Sequence, residues 1–415
     1  MNPIIISFII LSILATSSAF VFKDNLINNE SRISSEDLAL EPLIEEIKED
    51  NNLVQISNLE TELVLKEGNF ETANGTGVVV NIKTEQSSAL IIACENGNLE
   101  AVKELIKAGV ELNTHDYSGN TALSKASANG HLEIVQELIK AGADIRSEER
   151  WDSFAPLAEA SANGHLEVVK ELIKAGANLN TLDNDRSRTA LMVASANGHL
   201  KIVQELIKAG ADIRSEERWD SFAPLAEASA NGHLEIVQEL IKAGANLNTL
   251  DNDRSRTALM VASANGHLEI VQELIKAGAN LNNCCPLVFA SANGHLEVVK
   301  ELIKAGANLN LSDISQSTAL IYASANGYLE IVQELIKAGA DIDLYNLGPN
   351  VYHMTIGNTA LLEASANGHL EIVQELIKAG SDVNFEGENG TALMLARKGN
   401  YEDVVQELLN AGAIK

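Results

Sequence analysis

The chain has 415 residues, of which 46% are hydrophobic and only 4% are aromatic. A large core can therefore be built, but Leu, Ile, Val and Ala must do most of the packing. The 58 acidic residues exceed the 30 Lys and Arg residues, which gives a formal net charge of −28. Nucleic acids and anionic membranes attract basic proteins, so this balance argues against binding to either.

The first residues have the organisation of a secretory signal. An apolar run from Ile4 to Leu14 is followed by small residues, which predicts cleavage after Ala19. This run is too short to span a bilayer comfortably. No Lys or Arg precedes it, so an uncleaved membrane anchor is the alternative. We expect residues 1–19 to be a signal peptide and the protein to be secreted or exported, into the periplasm if the source is bacterial.

Residues 20–85 form an acidic segment rich in Asn and Glu. Its pattern predicts a short amphipathic helix around Leu40 to Ile47, interrupted at Pro42, and a later strand or second helix. The segment is short and has few aromatic residues. We therefore expect it to be partly disordered or to form a cap on the rest of the chain.

From residue 86 onwards the chain repeats one phrase of about 33 residues ten times. The glycines that align the copies are Gly97, Gly130, Gly164, Gly198, Gly232, Gly266, Gly294, Gly327, Gly368 and Gly399. A phrase repeated this faithfully provides a framework rather than a unique active site. Function is therefore expected in the parts that vary.

The second copy shows why each repeat should be a helical hairpin. Thr121 can cap a short helix that ends at the turn around Gly130. A second helix comes next, in which helical spacing predicts an apolar stripe. The stripe comprises Leu132, Val135, Leu138 and Ile139. Gly142 then ends this helix in a left-handed conformation. Stacking such hairpins buries the faces that one hairpin alone leaves exposed.

The phrases "TALSKAS" from Thr121 and "GHLEIV" from Gly130 resemble the ankyrin repeat, as does "LIKAGADI" from Leu138. The resemblance covers about four-fifths of the chain and implies an all-α solenoid of stacked helix-turn-helix repeats, joined by β-turn or loop fingers. It also implies that the protein binds other proteins. The His of the family's capping motif is absent from every copy. We therefore expect its capping network to be lost, and Ser153 and Ser221 to cap the helices where Ala replaces Thr.

Two blocks, residues 143–210 and 211–278, differ at only three positions, so their connections recur in pairs. The chain's only two tryptophans lie in these connections. An aromatic residue flanked by charge on a rigid loop is typical of an interface anchor. The candidates are Glu149, Arg150, Trp151, Glu217, Arg218 and Trp219, together with the arginines Arg186, Arg188, Arg254 and Arg256 of the mixed-charge connections. The alternative is that the aromatics fill the loop base and the charges are merely solvated.

One connection, between Gly339 and Thr359, is much longer than the rest. It brings together Tyr345, Tyr352, His353 and Met354 with no charge between them. This connection is therefore the best single candidate for a partner-specific contact, and a plain tolerated insertion is the alternative. By contrast, the connection that ends at Cys285 is shortened, so we expect it to lack a finger.

The cysteines and histidines of this sequence do not form a pattern typical of a catalytic or metal site. Cys94 falls at a small helical position and is expected to be buried and inert, whereas Cys284 and Cys285 are a free pair or form an intermolecular link. Seven histidines lie directly after the turns, about 10 Å apart in a stack, which is too far for one metal ion. They are expected to bond helix-end backbone. No cofactor, metal or catalytic residue is predicted.

The sequence therefore predicts a non-enzymatic, monomeric scaffold that binds a protein partner through loop tips and the concave helix face. One alternative is a periplasmic or envelope protein that stabilises a neighbouring enzyme. The other is an enzyme whose chemistry lies in residues 20–85, which no motif supports.

Overall fold

The computed structural model describes residues 63–66, 69–72, 80–145, 155–182, 188–213, 223–250, 256–347 and 356–414. Side chains are described from Ser87 onwards, except those of Leu347 and Ile356. The chain forms two compact units, Met1–Ala190 and Leu191–Lys415. Both consist mainly of short helices arranged in pairs, which confirms the predicted all-α repeat fold.

The N-terminal unit starts with a small sheet and continues with three helix pairs. Its elements are β1 (Leu63–Lys66), β2 (Asn69–Thr72), β3 (Val80–Asn81), α1 (Ile82–Glu95), α2 (Leu99–Lys107), α3 (Ala122–Ala128), α4 (Leu132–Lys140), α5 (Pro156–Ala162) and α6 (Leu166–Lys174). The three strands are antiparallel in the order β1-β2-β3. Of the two alternatives predicted for this segment, the strand is therefore correct, whereas the predicted helix around Leu40 lies outside the described residues.

The next helix, α7 (Ala190–Ala196), begins at the last residue of the N-terminal unit. The C-terminal unit then contains α8 (Leu200–Ala209), α9 (Pro224–Ala230), α10 (Leu234–Lys242), α11 (Ala258–Ala264), α12 (Leu268–Lys276), α13 (Pro286–Ala292), α14 (Leu296–Lys304), α15 (Ala319–Ala325), α16 (Leu329–Lys337), β4 (Tyr345–Leu347), β5 (Ile356–Thr359), α17 (Ala360–Asn367), α18 (Leu370–Ala379), β6 (Glu386–Gly387), β7 (Gly390–Thr391), α19 (Ala392–Lys398) and α20 (Glu402–Asn410). Within this unit, first helices pack on first helices of the next repeat and second helices on second helices.

The first helix of a repeat is held at its start by the predicted Thr cap. Thr121 Oγ1 accepts the Ser124 amide at 3.1 Å, and the Thr121 amide donates to Ser124 Oγ at 2.9 Å. The expected loss of the capping network is therefore wrong at α3, because Ser124 completes a capping box. At α5, Ala155 precedes Pro156, whose missing N–H needs no acceptor. The predicted caps Ser153 and Ser221 lie outside the described residues.

The second helix buries a narrower stripe than predicted. In α4 the buried apolar residues are Ile134, Val135 and Leu138, whereas Leu132 and Ile139 are half-buried. The prediction was wrong in omitting Ile134. The physical reason is helical geometry: Ile134 lies four residues before Leu138, so the two side chains share the buried face of the helix. On the first helix, Leu123 is buried.

The left-handed backbone occurs at the glycines predicted to end the two helices of a repeat. Gly130 has φ +74° and Gly142 has φ +92°. In the last repeat the alignment on Gly399 is wrong, because Gly399 has φ −82° and Asn400 takes the left-handed conformation at φ +59°. The order of Gly and Asn is reversed there. After Gly, Asn is among the residues that adopt the left-handed conformation most readily.

Side chains also link one repeat to the next. His165 donates from Nε2 to the carbonyl of Ala128 at 3.0 Å, and His233 donates likewise to Ala196 at 3.0 Å. The same bond recurs at His131, His267, His295 and His369. The prediction that these histidines bond helix-end backbone is confirmed for these six. The acceptor carbonyl lies in the preceding repeat, so each His joins neighbours.

Candidate functional site

In two of the described connections between repeats, here called fingers, a carboxylate at the tip shapes the turn. In the Asp116 finger (residues 110–120), Asp116 Oδ1 accepts the amides of Ser118 and Asn120, each at 2.8 Å. This turn leaves the Tyr117 side chain fully exposed. Folding therefore gains nothing from that ring, which is available for contact.

The Asp313 finger (residues 307–317) repeats this geometry in the C-terminal unit. Asp313 Oδ1 accepts the amides of Ser315 and Ser317 at 2.9 and 3.0 Å, and Ile314 at the tip is fully exposed. The Tyr322 hydroxyl donates to Asp313 Oδ2 at 2.7 Å, which ties the finger to helix α15. Burial, followed by the bond to the Asp313 carboxylate, raises the pKa of Tyr322.

The long connection is a β-hairpin at its base rather than a plain loop. Strands β4 and β5 pair antiparallel, with Tyr345 opposite Thr359. Asn346 Oδ1 accepts the Asn358 amide at 2.7 Å, and Asn358 Nδ2 donates to Glu363 at 2.9 Å on helix α17. The first bond thus joins the two strands of the hairpin, and the second fixes the hairpin to the first helix of the repeat.

The hairpin also contacts the fingers on either side. Asn346 Nδ2 donates to Ser317 Oγ of the Asp313 finger at 3.3 Å. On the other side, the Tyr345 and Phe385 rings lie 5.8 Å apart between centroids, tilted by 30°. Phe385 belongs to the last finger (residues 381–391), which contains β6 and β7. Three consecutive fingers therefore form one continuous surface.

The shortened connection has a strained entry into its helix. Both Cys284 (φ +55°) and Cys285 (φ +51°) are left-handed, which is uncommon outside Gly, Asn and Asp. Neither thiol forms a disulfide, and Cys285 Sγ donates to the Ser312 carbonyl at 3.1 Å. Burial, reinforced by the negative charges of Asp313 and Cys284, raises the pKa of Cys285. A thiol held protonated in this way is a poor nucleophile.

The third cysteine, Cys94, lies in the core, and the possible metal ligands of the described residues do not form a cluster. Cys94 is buried and free, as predicted, and burial raises its pKa to about 12. Within the described ranges, no group of three or more His, Cys, Asp or Glu residues is arranged to hold a metal ion. None of the helices described is long and apolar enough to cross a membrane.

Of the predicted contact residues, the structure describes three. Tyr345 is 46% exposed on β4, whereas Arg188 and Arg256 are half-buried, each next to a Thr that precedes a first helix. The others lie outside the described residues: Glu149, Arg150, Trp151, Arg186, Glu217, Arg218, Trp219, Arg254, Tyr352, His353 and Met354. The two described arginines therefore lie at finger bases.

Sequence reasoning missed several exposed or half-exposed apolar side chains, among them Tyr117, Ile314 and Phe385 on the fingers. A signal existed for two of them. Tyr117 and Ile314 each come directly after an Asp that lies five residues before the capping Thr of the next helix. An apolar residue at the same tip position in two fingers is unusual for a solvated turn.

Helix pairs joined by fingers define a class of repeat proteins. In this class the helical framework is the same in every repeat, whereas the connections differ from repeat to repeat. A family model described as ankyrin repeats, in three copies, matches residues 61–149, 148–217, 216–284, 259–346 and 344–415. The chain therefore belongs to the ankyrin repeat family. Ankyrin repeats are generic protein–protein interaction modules, and the family is typically non-enzymatic.

Among solved structures, the chain is similar to the crystal structure of the human ASB11 ankyrin repeat domain. The two are 25% identical, with a TM-score of 0.46, and the match covers 53% of this chain and 98% of that one. A search of curated proteins found no match.

Proposed function

We propose that the protein is an exported, non-enzymatic scaffold that binds a partner protein through its fingers and the adjoining first-helix surfaces. The observation that carries this proposal is the contrast between the repeats and their connections. The helix pairs repeat almost unchanged, whereas the fingers differ in length and display apolar side chains that the fold does not use. Such exposed anchors on a rigid support favour binding.

The first helices add a second variable element beside the fingers. At one half-buried position the residue type changes from repeat to repeat: it is Lys125 in α3, Glu159 in α5, Phe289 in α13 and Tyr322 in α15. In these four helices the buried Leu two residues before this position and the buried Ala directly after it are constant, whereas the buried residue directly before it also varies, from Ser124 and Ala158 to Val288 and Ile321. The half-buried residues are the ones a partner could reach, which supports a recognition surface continuous with the fingers.

Partner capture tests this proposal. The full chain and a Trp151→Ala, Trp219→Ala variant would be used as baits in medium from the producing cells. We expect the variant to lose a protein that the unaltered chain retains, because aromatic anchors carry a large share of binding energy. A Lys208→Ala, Lys276→Ala variant is the matched control, since both lysines are exposed on second helices. Equal recovery with all three baits would contradict the assignment of binding to the tryptophans.

The proposed export rests on the N-terminal sequence. We expect the chain expressed in a secretory host to reach the medium or periplasm with Phe20 as its first residue, because cleavage should occur after Ala19. N-terminal sequencing checks this. A chain that stays in the membrane fraction with its first residues intact would contradict cleavage and favour the anchor.

A further inference from the structure

The last three fingers of the C-terminal unit together form what we call the C-terminal finger surface: Ile314, Asp343, Tyr345, Asp382, Phe385 and Glu386. Besides the contacts from Asn346 and the ring pair, the Asp382 amide donates to Asp343 Oδ1 at 3.2 Å. Gly387 is so close to Gly357 that an added Cβ would lie 2.7 Å from its carbonyl oxygen. The fingers are thus closely packed, and a partner would meet a preformed surface rather than separate loops.

This surface exposes apolar groups that folding does not require. Ile314 is fully exposed and Tyr345 is 46% exposed, although Tyr345 is tilted against a half-buried Phe385. Exposed single apolar residues are ordinary, but an aromatic pair on the same finger surface as an exposed aliphatic residue is typical of a contact site. The two rings pack on each other with their centroids 5.8 Å apart, which limits the movement of Tyr345.

The charges around these groups have one sign. Across 307–318, 341–347, 356–359 and 381–391 the sequence contains no Lys or Arg. The carboxylates in these ranges are Asp313, Asp341, Asp343, Asp382, Glu386 and Glu388. Asp343 lies two residues before Tyr345, and Glu386 comes directly after Phe385. Asp343 Oδ1 accepts the Asp382 amide at 3.2 Å, and Asp382 Oδ1 accepts the Asn384 amide at 2.9 Å. A carboxylate that accepts one backbone amide retains further acceptor sites, so these two groups can still bind a cation.

The lysines nearest in sequence are engaged elsewhere. Lys337 Nζ lies 3.3 Å from Glu334 Oε1, and Lys378 Nζ lies 3.3 Å from Glu375 Oε1. Each pair lies within a single second helix rather than on the fingers. These two lysines are therefore paired within their own helices.

We propose that the C-terminal finger surface binds an arginine-containing basic segment of a protein partner, with a guanidinium stacked on the Tyr345–Phe385 pair. The inference rests on the proposed function and names the partner's chemistry. Arg is favoured over Lys because its planar group stacks on aromatic rings and forms paired hydrogen bonds with carboxylates. Ile314 then contacts an aliphatic part of the same segment.

Fluorescence anisotropy with labelled nonaarginine and nonalysine tests this chemistry on the full chain. Both peptides carry the same charge, so general attraction to an acidic protein cancels in their ratio. We expect nonaarginine to bind about three-fold more tightly than nonalysine, and a Tyr345→Leu, Phe385→Leu variant to lose that preference. Leu keeps the apolar packing but removes the π face. Circular dichroism would verify that the variant is folded.

A charge-matched pair of variants locates the site. Asp382→Asn, Glu386→Gln removes two charges from the finger surface, and Glu330→Gln, Glu371→Gln removes two from the exposed first turns of α16 and α18. We expect only the first variant to weaken nonaarginine binding, by about ten-fold at low salt. Equal weakening in both, or no preference for arginine, overturns the inference. Partner capture dependent on Trp151 and Trp219 would then still support the proposed function, so the two failures are distinguishable.

Discussion

At the scale of single residues, the Ser of the repeated phrase is buried without an evident reason. Its hydroxyl oxygen has no hydrogen-bond partner in Ser127, Ser161, Ser195, Ser229, Ser263, Ser291, Ser324 and Ser365. All eight are fully buried on first helices among Ala and Leu. A buried hydroxyl without a partner costs free energy that a methyl group would not. Each copy of the repeat therefore carries the same small penalty.

We predict that Ser229→Ala raises the free energy of unfolding of the C-terminal unit by about 1 kcal/mol, because it removes that penalty with almost no loss of volume. Urea titration followed by circular dichroism measures the change. Thr257→Ala is the control of opposite sign, since Thr257 Oγ1 accepts the Met260 amide at 3.2 Å and its loss should cost about 1 kcal/mol. Destabilisation by Ser229→Ala would mean that the hydroxyl is bonded in solution.

The turn glycines are required for two separable reasons. Gly232 has φ +79°, and a Cβ there would lie 2.9 Å from His267 Cε1 of the next repeat. Gly244 has φ +87°, with no atom within 4 Å of such a Cβ. Substitution of Gly232 therefore causes both backbone strain and a clash with His267, whereas substitution of Gly244 causes backbone strain alone.

We predict that Gly244→Ala lowers the free energy of unfolding by about 1 kcal/mol and that Gly232→Ala lowers it by about 2–3 kcal/mol. The difference measures how closely His267 covers the turn, because the strain is common to both variants. Parallel urea titrations determine it. Equal losses would show that the ring moves aside at no cost.

The sequence indicated these turns because Asn231-Gly232 and the helix-ending Gly244 are local signals, but it did not indicate which carbonyls the histidines bond. His165 and the carbonyl it contacts are 37 residues apart, and the bond exists only after two repeats have stacked. Local patterns predict local geometry well. Contacts between repeats depend on the distance and rotation from one repeat to the next, which no single repeat contains.

At the scale of elements, helix positions could be predicted and finger structure could not. Helices α3 and α4 begin and end where the Thr, Asn-Gly and Gly signals place them, because caps and apolar spacing are read from few residues. The hairpin of β4 and β5 was predicted only as a long connection. Its pairing is set by Asn346 and by packing on the next finger, neither of which has a sequence signature.

The shortened connection is the element whose backbone departs most from what its residues prefer. Two successive non-glycine residues, Cys284 and Cys285, are left-handed because few residues remain to reach α13. Left-handed backbone costs a residue with a Cβ about 1–2 kcal/mol. The thiol of Cys285 recovers part of this cost through its bond to Ser312.

We predict that Cys284→Gly raises the free energy of unfolding by about 1 kcal/mol, because glycine adopts this conformation without strain. Cys284→Ala is the matched control: it removes the thiol but keeps the Cβ, so its effect should be smaller. Thermal unfolding of the three proteins gives the comparison. A stabilisation by Ala as large as that by Gly would assign the effect to the thiol rather than to the backbone.

At the scale of the whole molecule, stability in a repeat protein is approximately the sum of each repeat's own stability and its contacts with neighbours. The described bonds fit this scheme within each unit. Asn280, Asn308 and Asp341 donate their amides to side chains of the preceding repeat, each at 2.9 Å. These bonds recur because the repeats recur. No single contact holds the fold.

Charge is the one property that acts on all repeats together, and it opposes folding. The formal net charge is −28, and the exposed lysines pair mainly with glutamates three residues away on their own helix. Such exposed pairs contribute little, and they leave most carboxylates uncompensated. Repulsion among these carboxylates is stronger in the compact state than in the extended chain.

We predict that raising NaCl from about 10 mM to about 300 mM stabilises the protein, because the Debye length falls from about 30 Å to less than 10 Å. The expected gain is roughly 1 kcal/mol, or about 2–4 °C in Tm for a unit of this size. Glu330→Lys, Glu371→Lys should show a smaller salt response, since it lowers the repulsion that salt screens. If salt instead lowered Tm, attractive ion pairs would outweigh repulsion. The exposed lysine–glutamate pairs on the second helices would then contribute more to stability than their exposure implies.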